Sequence, residues 1–450
     1  MTKFVRAALL GTSMIVATPA LAQDHGHHDE QVQRVEALMA EVEALRAELA
    51  AMKADMADTK AGLAETKAVV EAQETPSLQA AWKGAPQLEE DGWTFKPRGR
   101  LMYDVGTVSS PDGITDAGLG FASELRRGRL GVSGDIPGGF GYKFEIDFAD
   151  NEVAITDAFL SKELGDAEIM VGQMNNFQSL EELTSSLNTS FIERAGFTDA
   201  FGFERRVGVG VEYAAGDLIA QGGVFTSSIG DLGDDENEAR GVDGRLVFAP
   251  KMGDTQLHLG GSVHYRDLGD GANSVRYRQR PAIHITDTRF INTGSLGATS
   301  ETSYGLEAAA IMGRFHVASE AHWMTPSMVA GEDPTFFGGY VEAGVFLTDD
   351  KRGYKGGKFD RVKPSSPVGE GGFGSVQLNA RYDYLDLSDA GIIGGTQNGY
   401  QASLLWKPTD YVLFGLNYGH MVYDDAAITT AGGDDDYSVD VIGLRGQIDF

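Results

Sequence analysis

From Thr94 to Phe450 the chain repeats one pattern: apolar or aromatic residues at every second position, with charges of both signs between them. Tyr142, Phe144, Ile146 and Phe148 alternate with Lys143, Glu145 and Asp147, and Ile442, Leu444, Gly446, Ile448 and Phe450 alternate with Gly443, Arg445, Gln447 and Asp449. Phe95, Leu101 and Tyr103 interleave in the same way with Lys96, Arg98, Arg100 and Asp104. A period of two is that of β-strands with unlike faces. A soluble sandwich also alternates, so the pattern leaves two classes open, a secreted β-protein or a membrane β-barrel.

The N-terminus and the connections separate the two. Lys3 and Arg6 precede the apolar stretch Ala7–Ala17, and Ala20-Leu21-Ala22 supplies a small-x-small cleavage pattern, so residues 1–22 read as a secretory signal peptide. No later segment reaches the roughly 20 apolar residues that a membrane helix needs. Short turns are expected at Gly134–Gly139, Gly165-Asp166, Ala215–Asp217, Pro250–Thr255, Gly313-Arg314 and Pro408–Asp410. Between them lie longer polar loops at Gly106–Ser123, Asn175–Glu204, Ser228–Glu238, Asp267–Thr302, Pro326–Thr335, Ser388–Gly395 and Asp424–Asp436. Short and long connections in alternation, with a terminal aromatic on an amphipathic last strand, are the marks of an outer-membrane barrel. Scoring every alternating run as a strand gives seventeen. Bacterial barrels have even strand numbers, and removing Val275–Ile285, whose neighbours are loop-like, leaves sixteen antiparallel strands over residues 94–450. One connection on the short-turn side, Thr348–Gly372, is long and basic.

Between the signal peptide and the barrel, residues 23–34 read as a polar tail, residues 35–74 as an α-helical coiled coil and residues 75–93 as a linker. Val35, Val42, Leu49, Met56, Leu63 and Val70 form the a series, with Leu38, Leu45 and Met52 at d. Glu41, Glu48 and Asp55 at g face Arg46, Lys53 and Lys60 at e of a neighbouring chain. A strict 3.5-residue period favours self-association over a single helix lying on the barrel. The coil belongs on the periplasmic side. His25, His27 and His28 at its start have no spacing that fixes a metal geometry, and no cofactor is expected.

The chemistry-bearing residues are basic. Arg276, Arg278 and Arg280, at i, i+2 and i+4, share one facing if extended, and Lys351, Lys355 and Lys358 fall in the basic turn. Arg98, Arg100, Arg127 and Arg129 sit at alternate wall positions, and the long loop after the fifth strand offers Ser185, Ser186 and the pair Glu193-Arg194. Such clusters line anion pores, although a charge run is also what a solvated loop carries. The formal net charge of −29 argues against nucleic acid as a partner. No nucleophile elbow, zinc motif or P-loop is present, and the absence of cysteine excludes thiol chemistry, so an enzyme is not expected.

Several ordered stretches resemble the phosphate-selective porin O and porin P family. They include Gly99-Arg100-Leu101-Met102-Tyr103-Asp104, Leu125–Gly134, Val171-Gly172-Gln173, Glu181–Ser186, Phe191-Ile192-Glu193-Arg194 and Arg278-Gln279-Arg280-Pro281. Phe346-Leu347-Thr348, Lys351-Arg352-Gly353-Tyr354, Phe359–Pro364, Gly371–Gly374, Ala380-Arg381-Tyr382 and Leu444-Arg445-Gly446-Gln447 complete the set. The resemblance covers Phe95–Phe450. It implies a sixteen-stranded barrel in a homotrimer, embedded in outer-membrane lipid, whose third loop, fifth loop and one long turn enter the pore. It also implies that the Arg, Lys and Ser residues above bind small anions, with phosphate and polyphosphate as candidates. Ala282 stands where the family has an acidic residue, and Asp349-Asp350 where it has Gly-Glu, which puts phosphate selectivity in question. The alternative is a structural protein, with the barrel an anchor and the coil a tether to the cell wall or a periplasmic partner. Deleting Val35–Val70 distinguishes a role in oligomerisation from one in tethering. We expect the oligomer to lose heat resistance on gels while the barrel stays folded, and unchanged oligomer stability would assign the coil to the tether.

Overall fold

The computed structural model describes residues 27–72, 79–82, 84–111, 113–116, 118–232, 238–269 and 274–450. The stretch read as a signal peptide, residues 1–22, lies outside the described residues. The chain divides into two units, Met1–Ser77 and Leu78–Phe450. In the first, one helix, α1, runs from His27 to Ala72. It therefore starts inside the stretch read as a polar tail, because the sequence has no glycine or proline between His27 and Gly62 to stop it. Val35, Leu38, Val42, Leu45, Leu49, Met52, Met56 and Leu63 are all exposed along it. No described helix is long and apolar enough to cross a membrane.

The second unit is a closed antiparallel barrel of sixteen wall strands. The first eight are β1 (Trp93–Val108), β2 (Gly120–Ile136), β3 (Phe140–Asp147), β4 (Ala154–Leu164), β5 (Ala167–Asn175), β6 (Arg205–Ala215), β7 (Leu218–Phe225) and β8 (Arg240–Phe248). The remainder are β9 (Thr255–Asp267), β10 (Leu296–Met312), β11 (Phe315–Met328), β12 (Phe336–Phe346), β13 (Ser375–Asp389), β14 (Ile392–Thr409), β15 (Val412–Asp424) and β16 (Tyr437–Asp449). Each pairs with its sequence neighbours, and β16 returns to β1 through Val441↔Val108 to Asp449↔Arg100. Closure leaves no wall edge unpaired, which a sheet in hydrocarbon requires.

Burial decides between the two classes that alternation left open. On β16, Ile442, Leu444 and Ile448 are 46%, 52% and 48% exposed, whereas Arg445, Gln447 and Asp449 are 4%, 6% and 3% exposed. On β9, Leu259, Val263 and Tyr265 face out and His258, Ser262 and His264 face in. A sandwich buries its apolar face. This wall shows its apolar face outward and encloses its charges, as a barrel in lipid must.

Val275–Ile285 is not part of the wall. Only Ser274–Val275 touches the start of β10, and Arg278–Gln279 pairs with Ile291–Asn292 inside the loop. Two expectations are corrected. Most of the described part of the linker is a hairpin, Gln79–Trp82 with Pro86–Glu90, whose second strand continues the ladder onto Trp93–Phe95 of β1. And Ser388–Gly395 is no long loop: β13 and β14 meet across a tight turn at Ala390 (φ 49°) and Gly391 (φ 84°), the paired positive dihedrals of a two-residue hairpin turn.

Phe450 closes the last strand. Its backbone exchanges hydrogen bonds of 3.0 and 3.1 Å with Gly99, and its ring lies where a Cβ on that glycine would stand. The ring is 44% exposed on the outer face, so it contributes a lipid contact of roughly 1–3 kcal/mol at most, a small part of a barrel this size. We expect Phe450→Ala to cut the yield of folded protein in cells while refolding in detergent stays near normal. A normal yield in the outer membrane would show that the terminal ring plays no part in assembly.

Candidate functional site

Loop 3 (176–204) folds into the barrel and is fastened to one half of the wall. Ser179, at φ 65°, caps a four-residue helix, α2 (Leu180–Leu183), accepting from the Glu182 amide at 3.1 Å. The free amides of Leu180 and Glu181 donate to Glu320 of β11 at 2.9 and 2.7 Å. Glu181 and Glu342 of β12 both pair with Arg381 of β13 at 2.7 Å, and the guanidinium lies over the rings of Phe191 and Tyr340. Farther along, Asp383 accepts from the Gly196 amide at 2.9 Å, at the start of a second short helix, α3 (Gly196–Ala200). Glu193 receives both arms of Arg126 on β2 (2.8 and 3.1 Å) and reaches Arg445 on β16 at 3.3 Å. Burial opposes its ionisation, but Arg126 and Arg445 outweigh burial and hold the carboxyl well below its usual range. Glu193 and Arg194, read from sequence as candidates, thus serve to hold the loop: Arg194 donates to the carbonyls of Glu181, Glu182 and Thr184 at 2.9–3.0 Å.

The long turn between β12 and β13 enters from the opposite end. Its strands Gly353–Lys355 and Lys358–Asp360 form a hairpin, turned at Gly356 (φ 57°) and Gly357 (φ 70°). The tip crosses to the far wall, where Arg245 of β8 donates to the Gly357 carbonyl at 2.9 Å and Tyr354 meets His258 of β9 at 2.7 Å. It also touches loop 3: Arg352 donates to the Asn188 carbonyl at 2.5 Å, and the Phe359 amide to the Thr184 hydroxyl at 3.3 Å.

With those two segments packed mainly on β8–β16 and touching β1 and β2 at Ser186 and Glu193, the open lumen runs along β1–β7. It is a cavity of about 600 Å³ in which ten basic side chains face three acidic ones. Eight of the expected residues meet there: Arg98, Arg100, Arg127, Arg129, Ser185, Ser186, Lys355 and Lys358. Arg100 donates to Ser186 at 3.1 Å and shares Glu145 with Arg129, which also pairs with Asp147 at 2.7 Å. Arg98 lies 3.5 Å from the Ser133 hydroxyl, and Arg127 has only the Met102 sulfur at 3.8 Å. Burial pushes the Lys358 ammonium below its ordinary value, with Glu212 opposing. Sequence reasoning missed Lys143 and Arg205, which pair with Asp157 from two sides at 2.5 and 2.8 Å, as well as Arg361. The signal was present for Lys143, an inward position on β3 between the alternating aromatics.

The other four lie elsewhere. Lys351 lines a cavity at the base of the turn with Arg314, Asp349 and Asp350. Asp349 pairs there with Arg314 at 3.5 Å, and Asp350 accepts from the Thr348 hydroxyl and Ser365 amide. The extra carboxylates therefore stand outside the basic lumen. Loop 5 (268–295) is held by Tyr277 donating to Glu301 at 2.7 Å, His284 against Glu124 at 2.9 Å, and Phe290 packed on Tyr423 and Tyr437. Its arginines alternate with buried Tyr277 and Gln279 as the spacing implies, with Arg276 and Arg278 exposed. Arg280 pairs with Asp287 at 2.8 Å and Asp199 at 3.7 Å, and lines a cavity of about 150 Å³ with Arg126, Arg194, Glu182, Glu193 and His284. Arg194 lines both this cavity and the lumen, while Lys143 and Phe159 line both the lumen and a turn-side cavity of about 390 Å³.

The chain is similar to known proteins at both levels. A protein of Caulobacter vibrioides is 47% identical over 85% of this chain and 80% of its own length. Porin O of Pseudomonas aeruginosa is 24% identical over 76% and 86%. Among solved structures, OmpT of Vibrio cholerae superposes with a TM-score of 0.54 (12% identity; 81% of this chain, 100% of that one). An anion-selective porin from Comamonas acidovorans gives 0.51 (12%; 80% and 100%). At such identities these two speak for the fold alone. The sequence profile of the phosphate-selective porin O and P family matches residues 95–450, the whole barrel. The chain is thus an outer-membrane porin that belongs to the phosphate-selective porin O and P family.

Proposed function

We propose that this porin conducts small anions, phosphate among them, along the basic lumen. The observation that carries the reading is the inversion of charge: a chain with a net charge of −29 lines its lumen with ten basic and three acidic side chains. An anion entering a narrow pore sheds part of its hydration, and several guanidinium and ammonium donors in succession replace it without one deep trap. Arg127, Lys355 and Lys358 make no ion pair among the described residues, so their fields act on the ion. Arg100 and Arg129 are partly neutralised by Glu145 and hold the wall in shape. Arg280 stands in the outer cavity, with Arg276 and Arg278 exposed on the same loop, a placement suited to gathering anions before entry. Polyphosphate is a further candidate, its successive phosphates matching successive donors. The Porin O relative and the anion-selective porin support the reading by their printed descriptions.

A homotrimer is the proposed assembly, supported by the family and by a trimer form among the solved OmpT structures. The exposed a and d residues of α1 suit a periplasmic coiled coil between protomers, and a cell-wall or periplasmic partner is the other use of that surface.

The test is the reversal potential in a planar bilayer under a salt gradient. Wild type is expected to prefer anions, with phosphate partly blocking chloride current. Replacing Arg127, Lys355 and Lys358 together with Gln removes about 1.4 kcal/mol of favourable field, or about a tenfold fall in the anion-to-cation permeability ratio. Arg276→Gln, Arg278→Gln and Arg280→Gln together should shift the potential toward cations less strongly and weaken phosphate block. A cation-selective wild type would sink the anion reading.

A further inference from the structure

A second group of cationic side chains lies off the lumen, below the tip of loop 3. Arg352 of the long turn, Ser375 at the start of β13 and Lys407 near the end of β14 line one small cavity, closed by Phe346, Val362, Leu405 and Leu413. They are 4%, 2% and 7% exposed. Among the described residues Lys407 makes no hydrogen bond or ion pair, and the Arg352 Nε and Ser375 Oγ atoms have no partner. Arg352 donates through one Nη to the Asn188 carbonyl, and its guanidinium lies over the Phe359 ring. No carboxylate lines the cavity, and the nearby carboxylate of Asp449 is taken by Arg361.

We propose that this cavity is a structural anion site for a halide-sized ion, separate from the conduction path. Two buried cations with no carboxylate in contact are unfavourable there, since Glu342 and Glu181 act on Arg352, and Asp449 and Asp410 on Lys407, only from outside the cavity. A water molecule satisfies hydrogen bonds there but leaves both charges uncompensated. The free volume of about 10 Å³ accepts one water-sized or monatomic occupant and excludes phosphate. Chloride meets the size, the charge and the donors on offer, the Lys407 ammonium, the Arg352 Nε–H and the Ser375 hydroxyl, beside the polar side chains of Asn188, Thr189 and Gln377. Bound there, it ties the long turn, through Arg352, to β13 and β14, while Leu187 and Asn188 of loop 3 form part of the enclosure. The proposal does not rest on what the lumen conducts.

The full-length protein crystallised from sodium bromide should show an anomalous difference peak between Lys407 Nζ, Arg352 Nε and Ser375 Oγ. Lys407→Met removes one charge while keeping length, and should abolish that peak while halide in the basic lumen remains. In solution the wild-type unfolding temperature should rise in bromide over gluconate at equal ionic strength, and the rise should shrink in Lys407→Met. Absence of bromide from the wild-type cavity at saturating concentration overturns the proposal, whatever the variant does. A peak of undiminished height in the variant overturns the role of Lys407, and with it the site as described.

Discussion

The hydrogen-bonded ladder between β16 and β1 is the constraint on which the rest depends. Hydrocarbon offers no partner to a backbone amide, so a sheet persists there only when its first and last strands find each other. Once Val441–Asp449 pairs with Arg100–Val108, every wall strand has two neighbours, and the alternating side chains are sorted into an outer and an inner set. The inner set is confined within the cylinder. Charges that would be dispersed on a soluble surface are brought within ion-pair distance of one another, and the inside of the barrel becomes a structured electrostatic environment.

Loop 3 exploits that environment asymmetrically. Its carboxylates and amides engage inward groups of β11, β12, β13 and β16, and the long turn fills against β8 and β9. What remains open is the part of the lumen where basic side chains outnumber acidic ones by ten to three. The charge of the pore is thus decided less by how many basic residues the chain has than by which of them loop 3 and the turn leave uncovered. Arg381 and Arg127 are both buried inward arginines, but one is locked between two glutamates and the other faces open volume.

That distinction explains what could be read from the sequence. Strand positions and facing follow from a period of two, a local property, so the wall, the inward Arg98, Arg100, Arg127 and Arg129, and the exclusion of Val275–Ile285 from the wall were legible in order along the chain. The tight turn at Ala390-Gly391 was not, because Ser388-Asp389 before it and Gly394-Gly395 after it have the composition of a longer loop. Nor was the placement of the Arg276, Arg278 and Arg280 row: Arg276 and Arg278 are exposed while Arg280 lines a cavity beside Gln279, and where each stands depends on how loop 5 is pinned by Tyr277, His284 and Phe290. The roles of Glu181 and Glu193 depend on pairs such as Glu181 with Arg381, 200 residues apart, for which no short-range pattern exists.

Glu193 has a consequence for the order of events in assembly. Its carboxylate bridges Arg126 on β2 and Arg445 on β16, and Arg445 in turn holds Asp104 on β1 at 2.6–2.7 Å. These three strands straddle the seam where the cylinder is sealed. The Glu193 part of loop 3 can take its final seat only after the seam has formed, since that carboxylate is held from β2 and β16 together. An unsealed barrel would therefore keep the ties of loop 3 to β11 and β13 but lack the Glu193 clasp, and the finished set of the loop becomes a report that the cylinder is whole.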